Sequence, residues 1–354
     1  MMKIKTKQNK MALLFLVLCL PLLTSCLANE KPAAESVYPY EDIGFVMGTV
    51  VTQTIYSDDE NAAKEITDLL TGVENKGISW RTSGSEIAKI NNGAKSGSSV
   101  EVSADIKGYI EKALDIARNS DGAFDPAIGE LTQLWDFDSG EEIVPDEEDI
   151  NASLESVNYS NITLAGNTVS LSNNAIIDLG AVGKGLGCDE IEKYLDNRGD
   201  ISGMLVNLGG SSTLTYGQKD SGEPWQIAVL DPRDPTGYLG ALTLEGTYHI
   251  STSGDYEKYF QADGIRYHHI LDPRTGYPAQ SGSISVTVVS KEGAVSDGLS
   301  TACFVLGKDN SMDLLKQYDA DAIFVDEDKN VYITEGLAEK FQLIAADDYR
   351  LVEE

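Results

Sequence analysis

Apolar residues recur in runs from residue 43 to the end of the chain, and their spacing changes along the way. Between Ile43 and Tyr56, Phe45, Val46, Val50, Val51 and Ile55 stand among threonines, which predicts a strand that opens the fold. A helix is expected from about Asp58 to Glu74. From Ser103, an N-cap residue, Ile106, Ile110, Ala113, Leu114 and Ala117 repeat at helical spacing until Asp121-Gly122 stops the run. The acidic stretch Asp136 to Asp149 reads as a solvated loop leading into a short helix. Beyond it the pieces shorten. Ile162 to Leu164, Thr168 to Leu171 and Ala175 to Asp178 are β-like and run into a glycine-rich turn, then a helix from Leu186 to Leu195. Strands are expected near Leu205 to Leu208, Trp225 to Val229, Leu239 to Leu244, Gly264 to Ile270 and Ser283 to Val289. Helices over Ala294 to Leu306 and Asn310 to Tyr318 precede a last strand pair, Ala322 to Val325 and Val331 to Thr334. Strands that neither alternate strictly with helices nor exclude them argue for an α+β fold rather than a doubly wound sheet. Length alone allows two domains. With no Pro/Ser-rich linker and no repeat, the expectation is a single two-lobed domain over residues 42–354 of mixed sheets and helices.

The N-terminus has a different grammar. Lys3, Lys5, Lys7 and Lys10 precede an apolar run from Met11 to Leu23, the pattern of a secretory signal. The run is shorter than the roughly 20 apolar residues a spanning helix needs. It ends in Leu23-Thr24-Ser25-Cys26, which resembles the lipobox of bacterial lipoproteins, where the cysteine becomes the lipidated first residue. The expectation is a signal over 1–25, a lipid anchor on Cys26, and a flexible Ala/Pro/Glu-rich tether over 26–41. An ordinary signal cut elsewhere is the other reading. On either, the protein works on the extracytoplasmic side, lipid-anchored to the cell membrane on the first, and cytosolic metabolism is excluded.

Charge narrows the partners. The chain has 27 Lys and Arg against 57 Asp and Glu; removing the four lysines of residues 1–25 leaves 23 against 57, or about −34. Such a charge repels nucleic acid and anionic lipid. It does not argue disorder, because 42% of residues are hydrophobic. Cys188 and Cys303 make no disulfide framework and read as buried small hydrophobes.

Four segments have the residue types for chemistry. Ile177 to Gly185 (Ile-Asp-Leu-Gly-Ala-Val-Gly-Lys-Gly) puts three glycines and Lys184 where a strand turns into a helix. Backbone N–H groups and a lysine at such a turn suit a phosphate, although the spacing is not that of a Walker A loop and a plain tight turn is equally consistent. Thr252 to Tyr256 is followed by Tyr267-His268-His269-Ile270-Leu271-Asp272-Pro273, which holds two of the three histidines. Strand neighbours point to opposite faces, so at most one of the pair serves a site and a metal centre built from both is disfavoured. In Ser296 to Thr301, Asp297 and Thr301 are four apart at a helix start; they either cap it or offer one face of hard oxygen ligands to a cation such as Mg²⁺. Gly122-Ala123-Phe124-Asp125-Pro126 and Val206 to Gly210 read alone as loop and turn.

In order, these segments resemble the ApbE family, the FAD:protein FMN transferases. The resemblance runs over Phe45-Val46-Met47-Gly48-Thr49, Ser85 to Asn91, Gly122 to Pro126, Asp178 to Gly185, Val206 to Gly210, Thr252 to Tyr256, His269 to Pro278 and Asp297 to Thr301, nearly all the expected mature chain. It implies that Met47, Ala123, Phe124, Asp125, Asp178, Lys184 and Leu271 contact FAD, the substrate. It further implies Mg²⁺ between the Ala181 carbonyl, Asp297 and Thr301, with His269 as base and His268 facing away. The implied fold has a larger and a smaller lobe with the flavin between them. The implied reaction moves FMN from FAD to a Thr or Ser hydroxyl of an exported acceptor flavoprotein, releasing AMP. The alternatives are a pyrophosphatase yielding FMN and AMP, and a lipoprotein that only binds flavin. Two departures from the pattern stand out: Gly183 where relatives often have Ala, and Trp80, one position off the aromatic, often Tyr, that relatives place before the Ser-Glu pair.

Overall fold

The computed structural model describes residues 39–352. Along the chain, β1 (Tyr40–Val46) and β2 (Thr49–Tyr56) form a hairpin, followed by α1 (Ala62–Gly72), a π-helical turn (Val73–Ile78), α2 (Glu86–Ala94), β3 (Val100–Glu101) and α3 (Ala104–Asn119). Next come α4 (Gly129–Trp135), α5 (Glu147–Leu154), β4 (Ile162–Ala165), β5 (Thr168–Leu171) and α6 (Gly180–Asp196). Seven strands follow: β6 (Gly203–Leu208), β7 (Ser212–Gly217), β8 (Trp225–Leu230), β9 (Tyr238–Leu244), β10 (Tyr248–Gly254), β11 (Tyr259–Ala262) and β12 (Ile265–His268). The chain closes with β13 (Ser283–Ser290), α7 (Gly293–Leu306), α8 (Lys308–Gln317), β14 (Asp321–Asp326), β15 (Asn330–Ile333), β16 (Phe341–Leu343) and β17 (Arg350–Leu351). This is an α+β fold, as the mixed pattern implied.

One sheet of nine strands, in the order β1-β2-β6-β7-β10-β13-β14-β15-β17, organises the molecule. Its pairings are antiparallel except β15 with β17. On one face, Val51, Ile55, Met204, Val206 and Leu214 pack against Ile66 and Leu70 of α1 and Ile191 and Leu195 of α6. On the other, Ile250, Val289, Ile323 and Val331 meet the small sheet β16-β9-β8 through Ile227, Val229 and Leu242. Helix α7 is sandwiched so completely that twelve of its fourteen residues are buried, as expected of a helix apolar on nearly every side.

Several sequence-based expectations need correcting. The single strand over 43–56 is a hairpin, because Met47 (φ 55°) and Gly48 (φ 68°) both take the left-handed conformation that two-residue hairpin turns require. β1 starts inside the stretch read as tether: Tyr40 pairs with Ile55 and its hydroxyl donates to the Asp59 carbonyl at 2.7 Å. The helix expected from Asp58 to Glu74 starts at Ala62 and winds into the π-helical turn. Helices α2 and α4 were not anticipated, nor were β7 and the small C-terminal strands. Ala175 to Asp178 is extended but unpaired except for a bridge from Ile176 to Ile128.

The largest difference concerns the glycine-rich segment, which is not a turn before a helix but the first turns of α6 itself. Asp178 Oδ1 accepts the Gly180 N–H at 2.8 Å and starts the helix. The glycines serve close packing. A Cβ on Gly185 would lie 2.1 Å from the Gly293 carbonyl oxygen of α7, and one on Gly183 would lie 3.1 Å from Ile78. Tertiary contact with α7 thus outweighs the poor helix propensity of glycine, about 1 kcal/mol per residue.

Candidate active site

A cavity of about 250 Å³ opens between the main core and a cluster of aromatic residues around Trp135. Gly180, Ala181 and Lys184 reach it from the start of α6, and Asp297 and Thr301 from α7. Thr252 and Ser253 come from β10, and His269, Ile270 and Leu271 from the segment after β12. Ala123, Phe124 and Asp125, just past α3, close another wall.

Asp297 is fixed from two sides. The Gly185 N–H donates to its Oδ2 at 2.9 Å and the Ser212 hydroxyl to its Oδ1 at 3.3 Å. Burial pushes this carboxyl up to about 6, with Lys184 pulling the other way. One helical turn on, the Thr301 hydroxyl is 3.3 Å from Ser253 Oγ, which also bonds Ser300 at 2.8 Å. These hydroxyls lock α7 to β10, so the carboxylate and the threonine are held on rigid elements rather than on a loop.

The two adjacent histidines diverge. His268 ends β12, is buried, places Nε2 3.1 Å from the Ala279 carbonyl and meets Phe304 edge-on. His269 faces the cavity, anchored by its backbone N–H, which donates to the Lys258 carbonyl at 3.0 Å. Its Nδ1 is buried without a partner. Removal from water, and then the charges of Lys258, His268 and Lys184, hold the imidazole down at about 4.

Two carboxylates also have structural work. Asp125 accepts the Ala127 and Tyr159 N–H groups, each at 2.8 Å, and burial pushes it up to about 6. Asp178 caps Gly180, as described above. At the rim, Asp138 binds Arg81 at 2.9 Å and Lys258 at 2.6 Å; despite partial burial, these cations hold it below the usual carboxylate range.

Ala123, Phe124, Asp125, Asp178, Ala181, Lys184, His269, Leu271, Asp297 and Thr301, spread over 179 positions of sequence, therefore line one cavity. Met47 is not among its lining residues: it sits in the β1–β2 turn, its N–H donating to Glu74 Oε2 at 2.9 Å. Trp80 is not either; Arg81 takes the place at the wall and stacks 4.2 Å above the Trp80 ring. Cys26 lies outside the described residues. Sequence reasoning passed over Ser211, Glu257, Lys258 and Asp138. Lys258 lies two residues past the Thr252 to Tyr256 segment, and Asp138 lies within the acidic run Asp136 to Asp149, where the adjacent Phe137 is the signal that sets it apart.

Known proteins share this fold. The family model described as ApbE family matches residues 47–324. The FAD:protein FMN transferase of Treponema pallidum is 32% identical over 88% of this chain and 91% of its own length. Among solved structures, the ApbE protein of Thermotoga maritima superposes with a TM-score of 0.78 at 34% identity, covering 84% of this chain and 97% of that one. The apo flavinyl transferase ApbE of Pseudomonas stutzeri gives 0.75 at 28% identity, covering 86% and 96%. By the family model, the extent of the match and the shared architecture, this chain belongs to the ApbE family.

Proposed function

We propose that this protein transfers the FMN half of FAD to a Thr or Ser hydroxyl of an acceptor protein, and that the reaction requires Mg²⁺. The observation that carries the reading is the convergence of Lys184, Asp297, Thr301 and His269 on one cavity, in a family whose curated members include FAD:protein FMN transferases.

The reaction joins the acceptor oxygen to the phosphorus on the FMN side of the pyrophosphate. The bond from that phosphorus to the bridging oxygen breaks, AMP departs with the oxygen, and the hydroxyl proton needs a base. His269 suits that role. With its ionisation held near 4, the ring is neutral at physiological pH and can accept the proton. Positioned general bases are worth about 10²- to 10⁴-fold.

The cavity's own charge explains why a cation is needed. Three cationic side chains, Arg81, Lys184 and Lys258, line it against five carboxylates, Asp125, Asp138, Asp178, Glu257 and Asp297. A dianionic pyrophosphate is unwelcome there without further positive charge. Buried Asp297 lines the cavity together with Thr301 and Ala181, and a carboxylate, a hydroxyl and a carbonyl from these residues would give Mg²⁺ the hard oxygen ligands it prefers. Bound by these residues, the ion would neutralise phosphoryl oxygens and stabilise the departing AMP. Lys184, projecting from the first turns of α6, supplies a mobile charge beside it.

The same reading places the protein on the extracytoplasmic face of the cell membrane, anchored through lipidated Cys26, where its acceptor is an exported flavoprotein with a short Asp-Gly and Ser/Thr-containing motif. The test is to incubate the purified protein with FAD, Mg²⁺ and a candidate acceptor, following AMP and flavin fluorescence on a denaturing gel. Acceptor-dependent AMP with a fluorescent band, lost in His269→Ala and Asp297→Ala, supports transfer. AMP without acceptor replaces it by hydrolysis; intact bound FAD leaves only a flavin-binding lipoprotein.

A further inference from the structure

The third histidine lies away from the cavity. His249 on β10 is 1% exposed, and its Nε2 sits 2.7 Å from Glu192 Oε2. Its Nδ1 is buried with no hydrogen-bond partner. Asp189, three residues before Glu192 on α6, completes a group whose ligand-capable atoms all lie within 4.8 Å of one another. We propose that Asp189, Glu192 and His249 form a second divalent-cation site, distinct from the one at Asp297 and suited to Zn²⁺ rather than Mg²⁺.

The donor set argues for this class of ion. One imidazole nitrogen with two carboxylates suits Zn²⁺, whereas Mg²⁺ favours oxygen and retained water. The ring meets the group through Nε2, 2.7 Å from Glu192 Oε2, so an ion bound by all three residues takes that nitrogen in place of the hydrogen bond. On its other side Nδ1 packs against Gly293, where an added Cβ would stand 2.9 Å away, and the Gly293 N–H donates to Asp189 Oδ1 at 2.5 Å. Gly293 therefore fixes the ring by packing and the aspartate by a hydrogen bond. Asp189 Oδ2 accepts the Ala294 N–H at 3.2 Å and Lys112 Nζ at 3.1 Å. Three donors leave about one of the four carboxylate lone-pair positions free.

The group is separate from the cavity, since none of the three residues lines it. Asp189 is four residues past Gly185 on α6, and Gly293 four before Asp297 on α7, so the group lies beyond the helix contact as seen from Asp297. An ion there would tie α6 and β10 together and, through the Asp189 bonds to Gly293 and Ala294, hold the start of α7.

The experiment is a calorimetric titration of Zn²⁺ into metal-stripped full-length protein carrying Asp297→Asn, which silences the cavity and makes the result independent of flavin transfer. One Zn²⁺ per chain is expected, with affinity reduced about tenfold or more by His249→Gln and by Glu192→Gln. Co²⁺ in its place should show visible d–d absorption that His249→Gln changes. Absent binding, or binding unaltered by both substitutions, would overturn the proposal and leave Asp189 as a helix cap and His249 as a buried partner of Glu192. Should His249→Gln fail to fold, Glu192→Gln decides alone, because the Glu192 side chain is 28% exposed.

Discussion

The backbone N–H of Gly185 meets the carboxylate of Asp297 at 2.9 Å, tying the start of α6 to α7 where the two helices come closest. A methyl group at Gly185 would stand 2.1 Å from the Gly293 oxygen and 2.7 Å from Asp297 Cβ. Gly185→Ala must therefore push the helices apart, at a cost of about 1–3 kcal/mol. Calorimetry should show a lower Tm and titration a weaker Mg²⁺ affinity. Gly108→Ala is the control: it lies in α3 with nothing within 4 Å of the added Cβ, and should stabilise by about 0.5–1 kcal/mol.

Asp297→Asn should abolish Mg²⁺-dependent AMP release yet stabilise the metal-free protein near pH 7. Burial holds the folded carboxyl at about 6, against about 3.9 for an ordinary aspartate, so the folded protein binds the proton first. Its contribution is complete below about pH 4 and is lost as pH rises through 6. Asparagine cannot ionise and keeps it. The gap between variant and parent should open across that window to on the order of 1–3 kcal/mol, and close when Mg²⁺ is added to the parent. Denaturant midpoints measured from pH 4 to 8, with and without Mg²⁺, check this; a constant gap would refute it.

His269→Gln should lower AMP release about 10²- to 10⁴-fold while FAD affinity changes little. In the parent, the acid limb of kcat/KM set by His269 should lie near 4 and stay there. The limb set by Asp297, near 6, should move to lower pH as Mg²⁺ rises. Stopped-time AMP assays across pH at two Mg²⁺ concentrations separate them.

Asp138→Asn should release Arg81 and Lys258 from the rim and lower the KM for FAD a few-fold at low salt. Near 1 M salt, where screening acts over about 3 Å, the difference should vanish. Folding stability should move by less than about 1 kcal/mol, because both bridges are half exposed.

Legibility from sequence followed locality. The limits of α3 were readable because its stop signal and its cap are neighbours in sequence, with Ser103 Oγ accepting the Ile106 N–H at 3.3 Å. The start of α6 was not, since Gly180, Gly183, Gly185 and Gly187 favour a turn until distant residues pack against the helix: Ile78 on Gly183, α7 on Gly185, and Leu70 and Met47 on Gly187. Nothing local marks Met47 for positive φ, so the hairpin was hidden inside an apparent strand. Divergence of the histidine pair followed from strand geometry alone. The rim ions were out of reach, because Asp138 meets Lys258 across 120 residues.

The contact between α6 and α7 also has a consequence in time. The Gly185 amide proton lies between two helix backbones and ends on a buried carboxylate, so solvent reaches it only when the helices part. Its hydrogen-exchange rate should thus be slow, and should report directly on how often the catalytic floor opens, in a protein whose rim ions exchange partners far faster.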